Sequence, residues 1–320
     1  MPEQPGVGST LLMTDDIASS SNEGRVTTLV AGLIDVFADR ALTGNPLAVV
    51  EGADALPDAT LRRIAGELNQ AETTFLMRST RADWKLRSFT ASGAEVFGAG
   101  HNALGAWLWL AAHGRLGALD TPTTFHQEIG GDVLPITLES RGGRFHGRMR
   151  QARLQLSSPL HDLAPLAAAL AVAGDDLLVH PAPRVASAHS GTGHLMVRAR
   201  DAHTVDRAKP AADALLAVLR SAGAEGCYVY AFDQAAPQTA YARFFNPTVG
   251  LWEDAATGTA AGPLCGYLGS EGLLAADHTL VVEQGVVMGR RSLVHVRLVP
   301  EPEISGAGVV VLRGWLDLTA

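Results

Sequence analysis

The sequence has little cysteine and little positive charge, and it lacks any long apolar run. Its two cysteines, Cys227 and Cys265, stand in apolar surroundings, so they cannot form a disulfide framework and make a poor zinc site. No stretch approaches the roughly 20 apolar residues that a membrane-spanning helix needs. The formal net charge of −8 provides no basic surface for nucleic acid. We therefore expect neither a membrane nor a nucleic-acid partner.

The N-terminal segment also lacks targeting features. Residues 1–25 are rich in Ser, Gly, Asp and Glu, and they have neither the basic segment nor the apolar core of a signal peptide. We interpret them as a disordered tail and predict a cytoplasmic protein. The chain of 320 residues is 47% hydrophobic, which is ample for one large core or two smaller ones.

Hydrophobic periodicity predicts many short strands and a few helices. Residues 57–69 have apolar side chains on one face, which predicts an amphipathic helix with Asp58 or Thr60 as its cap. The segments HNALGAWLWLAAHG and TAAGPLCGYLGSEG are apolar on nearly all sides, so we expect two buried helices. Two further helices are predicted near residues 163–173 and 211–222. Strands are predicted near residues 26–37, 47–50, 71–79, 83–90, 238–246, 279–283, 293–298 and 309–312.

Two passages of the chain share one layout. In each, a strand contains an Arg with a Phe two residues later, namely Arg87 with Phe89 and Arg243 with Phe245. Each passage continues through an acidic loop and a glycine-containing turn into a buried helix. This repetition predicts two similar α+β halves, each with a sheet around a central helix. Because a helix N-terminus offers unpaired N–H groups and a positive dipole end, two such ends facing each other would form a carboxylate pocket.

Several side chains near these helix starts could carry acid–base chemistry. Glu72 begins a predicted strand; most such residues are solvated carboxylates, but in a desolvated cleft it could both give and take a proton near neutral pH. His101 stands in the first turn of the first buried helix, where it could cap or pack and where the helix dipole favours the neutral ring. Asp254 and Thr259 flank the second helix start and could cap it or hold a ligand.

Five segments resemble, in order and spacing, the signatures of phenazine-biosynthesis isomerase-like proteins. They are GNPLAVV, ELNQAETTF, LRSFTASGAEVFGAGH, FFNPTVGLWEDAATGTAAGPL and EQGVVMGRRSLVHV, and the resemblance extends from about Val30 to the end. It implies the diaminopimelate epimerase fold: two α+β domains, each a curved, mostly antiparallel sheet or barrel around a central helix, with the active site in the cleft. We accordingly expect one domain at residues 26–133, to which 308–320 return, and a second at 134–307.

The resemblance also implies residue roles. In the phenazine enzyme, the Glu of the ETTF motif moves a proton during isomerisation of a dihydro-hydroxyanthranilate, and that Glu corresponds to Glu72. His101 and Asp254 correspond to further active-site residues. Members of the family are usually homodimers and use no metal or organic cofactor. The positions that would bind the substrate, two of them through backbone N–H groups of glycine, are Gly100, Asn102, Gly258 and Thr259.

This chain departs from parts of the superfamily pattern. Epimerases of this fold use two opposed thiols, whereas the matching positions here are Ala99 and Thr257, so a two-thiol mechanism is disfavoured. The residues that differ from the common family pattern could all line the pocket, and they leave the substrate open. They are Gln70, Asn102, Trp252 and Thr259.

The leading hypothesis is therefore a cofactor-independent isomerase. A small cyclic or unsaturated amino acid or carboxylic acid would bind at the two helix starts, and Glu72 would move its proton while His101 and Asp254 orient the ligand or assist. One alternative keeps the fold without the chemistry, as a small-carboxylate-binding module or a partner protein of a biosynthetic pathway. Another is a thiol-dependent racemase, which would rely on Cys227 or Cys265. The joint presence of Glu72, His101 and Asp254 favours catalysis.

Overall fold

The computed structural model describes residues 26–188, 193–275 and 278–319. The predicted disordered tail, residues 1–25, lies outside these ranges. In chain order, the helices and strands are β1 (Thr27–Val36), β2 (Asn45–Glu51), α1 (Asp58–Leu68), β3 (Glu72–Met77), β4 (Trp84–Phe89), β5 (Glu95–Val96), α2 (His101–Ala112), β6 (Thr123–Ile129), β7 (Asp132–Arg141), β8 (Arg144–Arg150), β9 (Gln155–Leu156), α3 (Ala164–Leu170), β10 (Arg184–Ser187), β11 (His194–Arg198), α4 (Ala202–Arg207), α5 (Ala212–Ala222), β12 (Gly226–Phe232), β13 (Thr239–Asn246), β14 (Leu251–Asp254), α6 (Gly258–Ser270), β15 (Thr279–Gln284), β16 (Ser292–Leu298) and β17 (Pro302–Leu318).

Eight of these strands close into a barrel around α2. In the order β1, β2, β3, β4, β6, β7, β8 and β17, each strand pairs with the next, and β17 pairs back with β1. Every residue from His101 to Ala111 is buried inside this wall. The indole N–H groups of Trp107 and Trp109 donate to Gln127 and Glu51 of the barrel. A helix without a polar face is thus enclosed on all sides, as its sequence requires.

The second half repeats the arrangement around α6. The strands β10, β11, β12, β13, β15 and β16 form a continuous run, and α6 packs against β10, β16 and β17. The helices α3 and α5 pack together beside this run and bury a separate apolar cluster with β11 and β12. Within the described ranges, no helix combines the length and apolarity that crossing a membrane requires.

The long final strand β17 connects the two halves. Its first residues pair with β16 and β8, and the segment from Gly308 to Leu318 pairs with β1. The sequence predicts a strand only at 309–312, because glycines interrupt the apolar pattern on either side. Neighbouring strands supply the backbone hydrogen bonds that extend it. The strand β7 crosses the predicted domain boundary at residue 133 and β8 follows it, yet both pair within the first barrel. The division into two domains stays a prediction.

Other elements differ from the sequence-based expectation. Neither Asp58 nor Thr60 caps α1, whose N-cap residue is Pro57 and has no side-chain hydrogen bond. The carboxylate of Asp58 instead accepts two hydrogen bonds from Arg87, at 2.7 and 3.2 Å, because an Arg fork on the adjacent strand competes with the local backbone. The short strands β5 and β14 fall in the two acidic segments predicted as loops, and α4 falls where no helix is predicted. Their few residues carry no readable periodicity.

The close contact between α2 and the barrel wall predicts an asymmetric response to glycine substitution. A Cβ atom at Gly32 in β1 would meet the backbone carbonyl of Leu312 and lie 2.5–2.7 Å from the ring of Trp109. Gly314, on the neighbouring strand, has nothing within 4 Å. We expect Gly32→Ala to lower the free energy of unfolding by about 1–3 kcal/mol or more, through overpacking, and Gly314→Ala to have little effect. Urea unfolding of the two variants tests this, and equal midpoints would contradict the packing.

Candidate active site

A cavity of about 860 Å³ opens between the two halves, at the N-terminal ends of α2 and α6. Its lining includes the start of β3, the first residues of α2 and the loop that leads from β14 into α6. The three acid–base candidates, Glu72, His101 and Asp254, all line this cavity although they are far apart in the sequence. The predicted substrate-binding residues also line it, namely Gly100, Asn102, Gly258 and Thr259. Their roles toward a substrate stay predictions.

The same ion pair precedes both buried helices. In the first half, Arg87 Nε and Nη2 donate to the two carboxylate oxygens of Glu95, at 2.7 and 2.8 Å. In the second half, Arg243 Nε and Nη2 donate to the two carboxylate oxygens of Glu253, both at 2.8 Å. Such bidentate pairs hold both partners in one plane and one register. The predicted repetition is therefore present down to individual hydrogen bonds.

Each of these arginines also stacks on the Phe two residues later. The guanidinium carbon lies 5.1 Å from the ring centroid of Phe89 in one half and 4.8 Å from that of Phe245 in the other. The loop leaving each ion pair runs directly to the glycine at the helix start, Gly100 or Gly258. The two helix starts are thus held by equivalent supports on the two sides of the cavity.

At the start of α2, a side chain of the helix accepts a hydrogen bond from one of the backbone N–H groups. The Gly100 N–H donates to Asn102 Oδ1 at 2.8 Å, and Asn102 Nδ2 donates to Ser88 Oγ and to the carbonyl of Gly98. The N–H that we assigned to a substrate carboxylate is therefore paired inside the protein. A carboxylate at Gly100 would have to compete with the Asn102 carbonyl oxygen, because an amide two residues into the helix reaches back to this donor.

Asp254 is a buried side chain held by two donors. Its Oδ1 accepts from Asn45 Nδ2 at 2.7 Å and its Oδ2 accepts from Thr257 Oγ1 at 2.6 Å. It does not cap α6, whose N-cap residue is Thr257. Burial raises the pKa of Asp254 to about 6, while the hydrogen bonds from Thr257 and Asn45 act in the opposite direction. The bond to Asn45 joins the loop before α6 to β2 of the first barrel.

Gln284 forms several hydrogen bonds with the same loop. Its Nε2 donates to the Asp254 carbonyl and to Thr257 Oγ1, at 2.8 and 3.0 Å. Its Oε1 accepts from Tyr228 Oη at 2.9 Å and from the Thr257 N–H at 3.3 Å. Sequence reasoning misses both Gln284 and Asn45. The only available signal is that each lies in a segment that resembles a family signature, EQG and GNP.

Glu72 differs from Asp254 in having no comparable support. Its Oε2 atom is buried, and no hydrogen-bond partner is found for it among the described residues. Burial raises the pKa of Glu72 to about 8, and the negative charge of Asp254 acts in the same direction. A carboxyl group with this pKa exchanges protons readily near neutral pH.

His101 is neutral at physiological pH. Burial lowers the pKa of His101 to about 4. The neutral ring is predicted from the helix dipole, but its cause in the structure is desolvation. The ring is 8% exposed, and its buried Nε2 atom has no partner among the described residues. It therefore presents an unused donor or acceptor beside the cavity.

Among the other polar residues that line the cavity are two that are not assigned to the site from the sequence. His194 Nε2 lies 3.2 Å from Thr259 Oγ1, and its ring contacts Phe244 edge-on at 4.8 Å between centroids. Glu225, in the turn between α5 and β12, also lines the cavity. A His at the start of a short strand and a Glu in the turn after a helix are common patterns in sequences, so only the fold brings these residues to the site.

Trp252, by contrast, does not line the described part of the cavity. Its side chain is 45% exposed and lies 6.3 Å from the Phe245 ring, between centroids. The pairing of β13 with β14 shifts register between Phe244 and Asn246. A bulge of this kind breaks strict alternation, so the two acidic-loop residues Trp252 and Asp254 need not share a face.

Neither cysteine belongs to the site. Cys227 in β12 and Cys265 in α6 are fully buried, and neither lines the described cavity. Burial raises the pKa of both thiols to about 12. Thr257, which the resemblance matches to one of the two thiol positions of the epimerases, donates its hydroxyl proton to Asp254 Oδ2. The described cavity thus contains no thiolate pair.

Comparison with known proteins identifies relatives that match most of the chain. The family model described as "Phenazine biosynthesis-like protein" matches residues 34–314. The trans-2,3-dihydro-3-hydroxyanthranilate isomerase of Pseudomonas fluorescens is 30% identical over 298 residues, which cover 89% of this chain and 98% of that protein. An uncharacterised isomerase of Clostridium acetobutylicum is also 30% identical, over 89% of this chain and 97% of its own length.

Solved structures show the same fold. A phenazine biosynthesis protein of Bacillus anthracis superposes with a TM-score of 0.81 at 25% identity, over 92% of this chain and all of that one. A predicted epimerase of Pseudomonas aeruginosa superposes with a TM-score of 0.77 at 31% identity, over 91% of this chain and all of that one. The predicted α+β fold of the diaminopimelate epimerase type is confirmed, and the chain belongs to the phenazine biosynthesis-like protein family.

Proposed function

We propose that this protein is an isomerase that moves a proton on a small cyclic or unsaturated amino acid or carboxylic acid, with Glu72 as its single acid–base residue and without a metal or organic cofactor. The observation that carries the proposal is the buried Oε2 atom of Glu72, which lies at the cavity between the halves and has no hydrogen-bond partner among the described residues. The names of the relatives, among them a trans-2,3-dihydro-3-hydroxyanthranilate isomerase, support the reaction class.

In the proposed reaction, the Glu72 carboxylate removes a proton from a substrate carbon and becomes a carboxylic acid. The electron pair left on the substrate delocalises along its unsaturated system. Glu72 then returns the proton to a different carbon, which shifts the double bond and restores the carboxylate. A pKa of about 8 suits this exchange, since both forms of the group are accessible near neutral pH.

The neighbouring residues divide the remaining tasks. The N-terminal ends of α2 and α6 carry partial positive charge and favour a substrate carboxylate between them. Neutral His101 is available to hydrogen-bond to the substrate or to assist the proton transfer. Asp254, fixed by Asn45 and Thr257, orients the ligand in the second half of the cavity. Positioning of this kind contributes to rate alongside the proton transfer itself.

The proton-carrier role predicts a large loss of activity on removal of one ionisable group. With trans-2,3-dihydro-3-hydroxyanthranilate as the test substrate in deuterated water, wild type should isomerise it and place solvent deuterium in the product. Glu72→Gln should reduce turnover by about 10²–10⁴-fold, because the amide cannot accept the proton. Glu67→Gln, an exposed change on α1, should retain wild-type turnover. Full activity of the Glu72 variant would overturn the assignment, and binding without exchange by wild type would favour a carboxylate-binding module.

The raised pKa of Glu72 also predicts a pH-dependent stability. The pKa rises from 4.5 to about 8 on folding, so over this window the folded state retains a proton that the unfolded chain has lost. The free energy of unfolding should therefore fall as the pH rises from about 4.5 to about 8. Glu72→Gln should lose less stability across the same range, whereas Glu67→Gln should follow wild type. Urea midpoints at several pH values measure the slopes, and parallel slopes for all three proteins would contradict the shift.

The buried thiols predict resistance to alkylation. Treatment of the folded protein with iodoacetamide should leave its activity unchanged, because Cys227 and Cys265 are inaccessible and their pKa of about 12 leaves almost no thiolate. Mass spectrometry reports modification in the same samples. Loss of activity in proportion to alkylation of either cysteine would support the thiol-dependent alternative.

A further inference from the structure

Glu225 stands in the second half at nearly the place that Glu72 holds in the first. Glu72 begins β3 after α1, and Glu225 immediately precedes β12 after α5. The strand pairings align the halves, since Phe75 faces Arg87 in one and Val229 faces Arg243 in the other. Counting back three residues from Phe75 and from Val229 reaches Glu72 and the residue after Glu225. Both carboxylates line the same cavity.

The backbone of Glu225 is fixed on both sides. Its N–H donates to the Gly193 carbonyl at 2.9 Å, and its carbonyl accepts from Thr248 Oγ1 at 2.7 Å. Its half-buried carboxylate makes no ion pair or hydrogen bond with any described residue. Burial raises the pKa of this group, and no cation acts against the shift. The carboxylate is thus held at the cavity by its fixed backbone and is available to a ligand that enters.

The charges that line the cavity indicate which charge the ligand group near Glu225 should carry. Four carboxylates line it, and no Lys or Arg stands among the described lining residues. One of the four, Glu95, is already paired with Arg87. His101 is neutral and presents a buried, unpartnered Nε2 atom to the same space. A ligand with only negative charge would be repelled at the Glu225 side, whereas a ligand with a cationic group would relieve the uncompensated charge.

The small number of possible metal ligands near Glu225 favours an organic cation over a metal ion. Among the described residues, no three His, Cys, Asp or Glu side chains are grouped so that they could hold a metal ion. A single half-buried carboxylate suits a monovalent group that brings its own hydrogen-bond donors. A protonated amine has this chemistry, and its charge-assisted hydrogen bonds to a carboxylate are among the stronger ones in proteins.

We propose that Glu225 binds the protonated amino group of the substrate, so that the site selects amino acids over plain carboxylic acids of the same shape. The two helix starts would receive the carboxylate of the same molecule, and Glu72 would act on the carbon atoms between these two anchors. This inference rests on the proposed function for the place of the carboxylate and of the proton transfer. It adds a substrate-binding residue and a substrate class to that site.

Calorimetric titration of the full-length protein tests the assignment through binding alone. The matched ligands are 2-aminocyclohexanecarboxylate and cyclohexanecarboxylate, which differ by the amino group. Wild type should bind the amino acid about 10- to 100-fold more tightly, the range expected for one hydrogen bond between charged groups. Glu225→Gln should abolish this preference and should bind cyclohexanecarboxylate at least as tightly as wild type, because the neutral amide no longer repels the carboxylate. Glu225→Asp, which keeps the charge, should retain part of the preference.

The control variants separate this inference from the proposed function. Glu72→Gln should keep the amine preference even though it loses deuterium exchange, and Glu67→Gln should behave as wild type in both assays. Persistence of the preference in Glu225→Gln would overturn the assignment. So would a wild type that binds the amino acid no better than the plain acid, including one that binds neither. Loss of deuterium exchange in Glu225→Gln with the preference intact would also overturn it, since it would make Glu225 a proton carrier.

Discussion

Two helices without a polar face, α2 and α6, must be enclosed by strands, and the rest of the structure depends on meeting this requirement. The strands can cover the sides of a helix but not its ends. Both helices therefore reach the surface of their own half at the glycines that begin them, Gly100 and Gly258. The cavity forms where these two ends come together. The site is thus a consequence of how the apolar helices are buried.

The two halves share the same supporting ion pair, but they present different side chains to the cavity. Equivalent arginine–glutamate pairs, Arg87 with Glu95 and Arg243 with Glu253, hold the loop before each helix. What each loop then presents is different. The first half places a histidine at the helix start and the second places Thr259 there. Repetition supplies two similar supports, and the different side chains at the two helix starts make the cavity asymmetric.

Electrostatics follow from the same asymmetry. Asp254 is buried but receives hydrogen bonds from Asn45 and Thr257, which oppose the effect of burial on its pKa. Glu72 is placed beside it with a buried oxygen that has no described partner, and its pKa rises further. Environments that separate the pKa values of two neighbouring carboxyl groups assign them different tasks. The difference between the two pKa values supports Glu72 as the group that exchanges protons and Asp254 as the group that orients the ligand.

Local sequence patterns predict the main helices and strands and several of the residues that line the cavity. The all-round apolarity of α2 and α6 predicts their burial, and the repeated Arg and Phe spacing predicts two similar halves; both follow from local patterns. Glu72, His101 and Asp254 were recognisable because each lies in a segment that resembles a family signature. The folded structure is needed to show that Asn45 and Gln284 contact Asp254. It also shows that the Gly100 N–H donates to Asn102 and that His194 and Glu225 line the cavity. Apart from the bond between Gly100 and Asn102, which is local, these contacts join residues on different strands and loops. Their geometry depends on how the strands wrap around the two buried helices, so no local pattern encodes it.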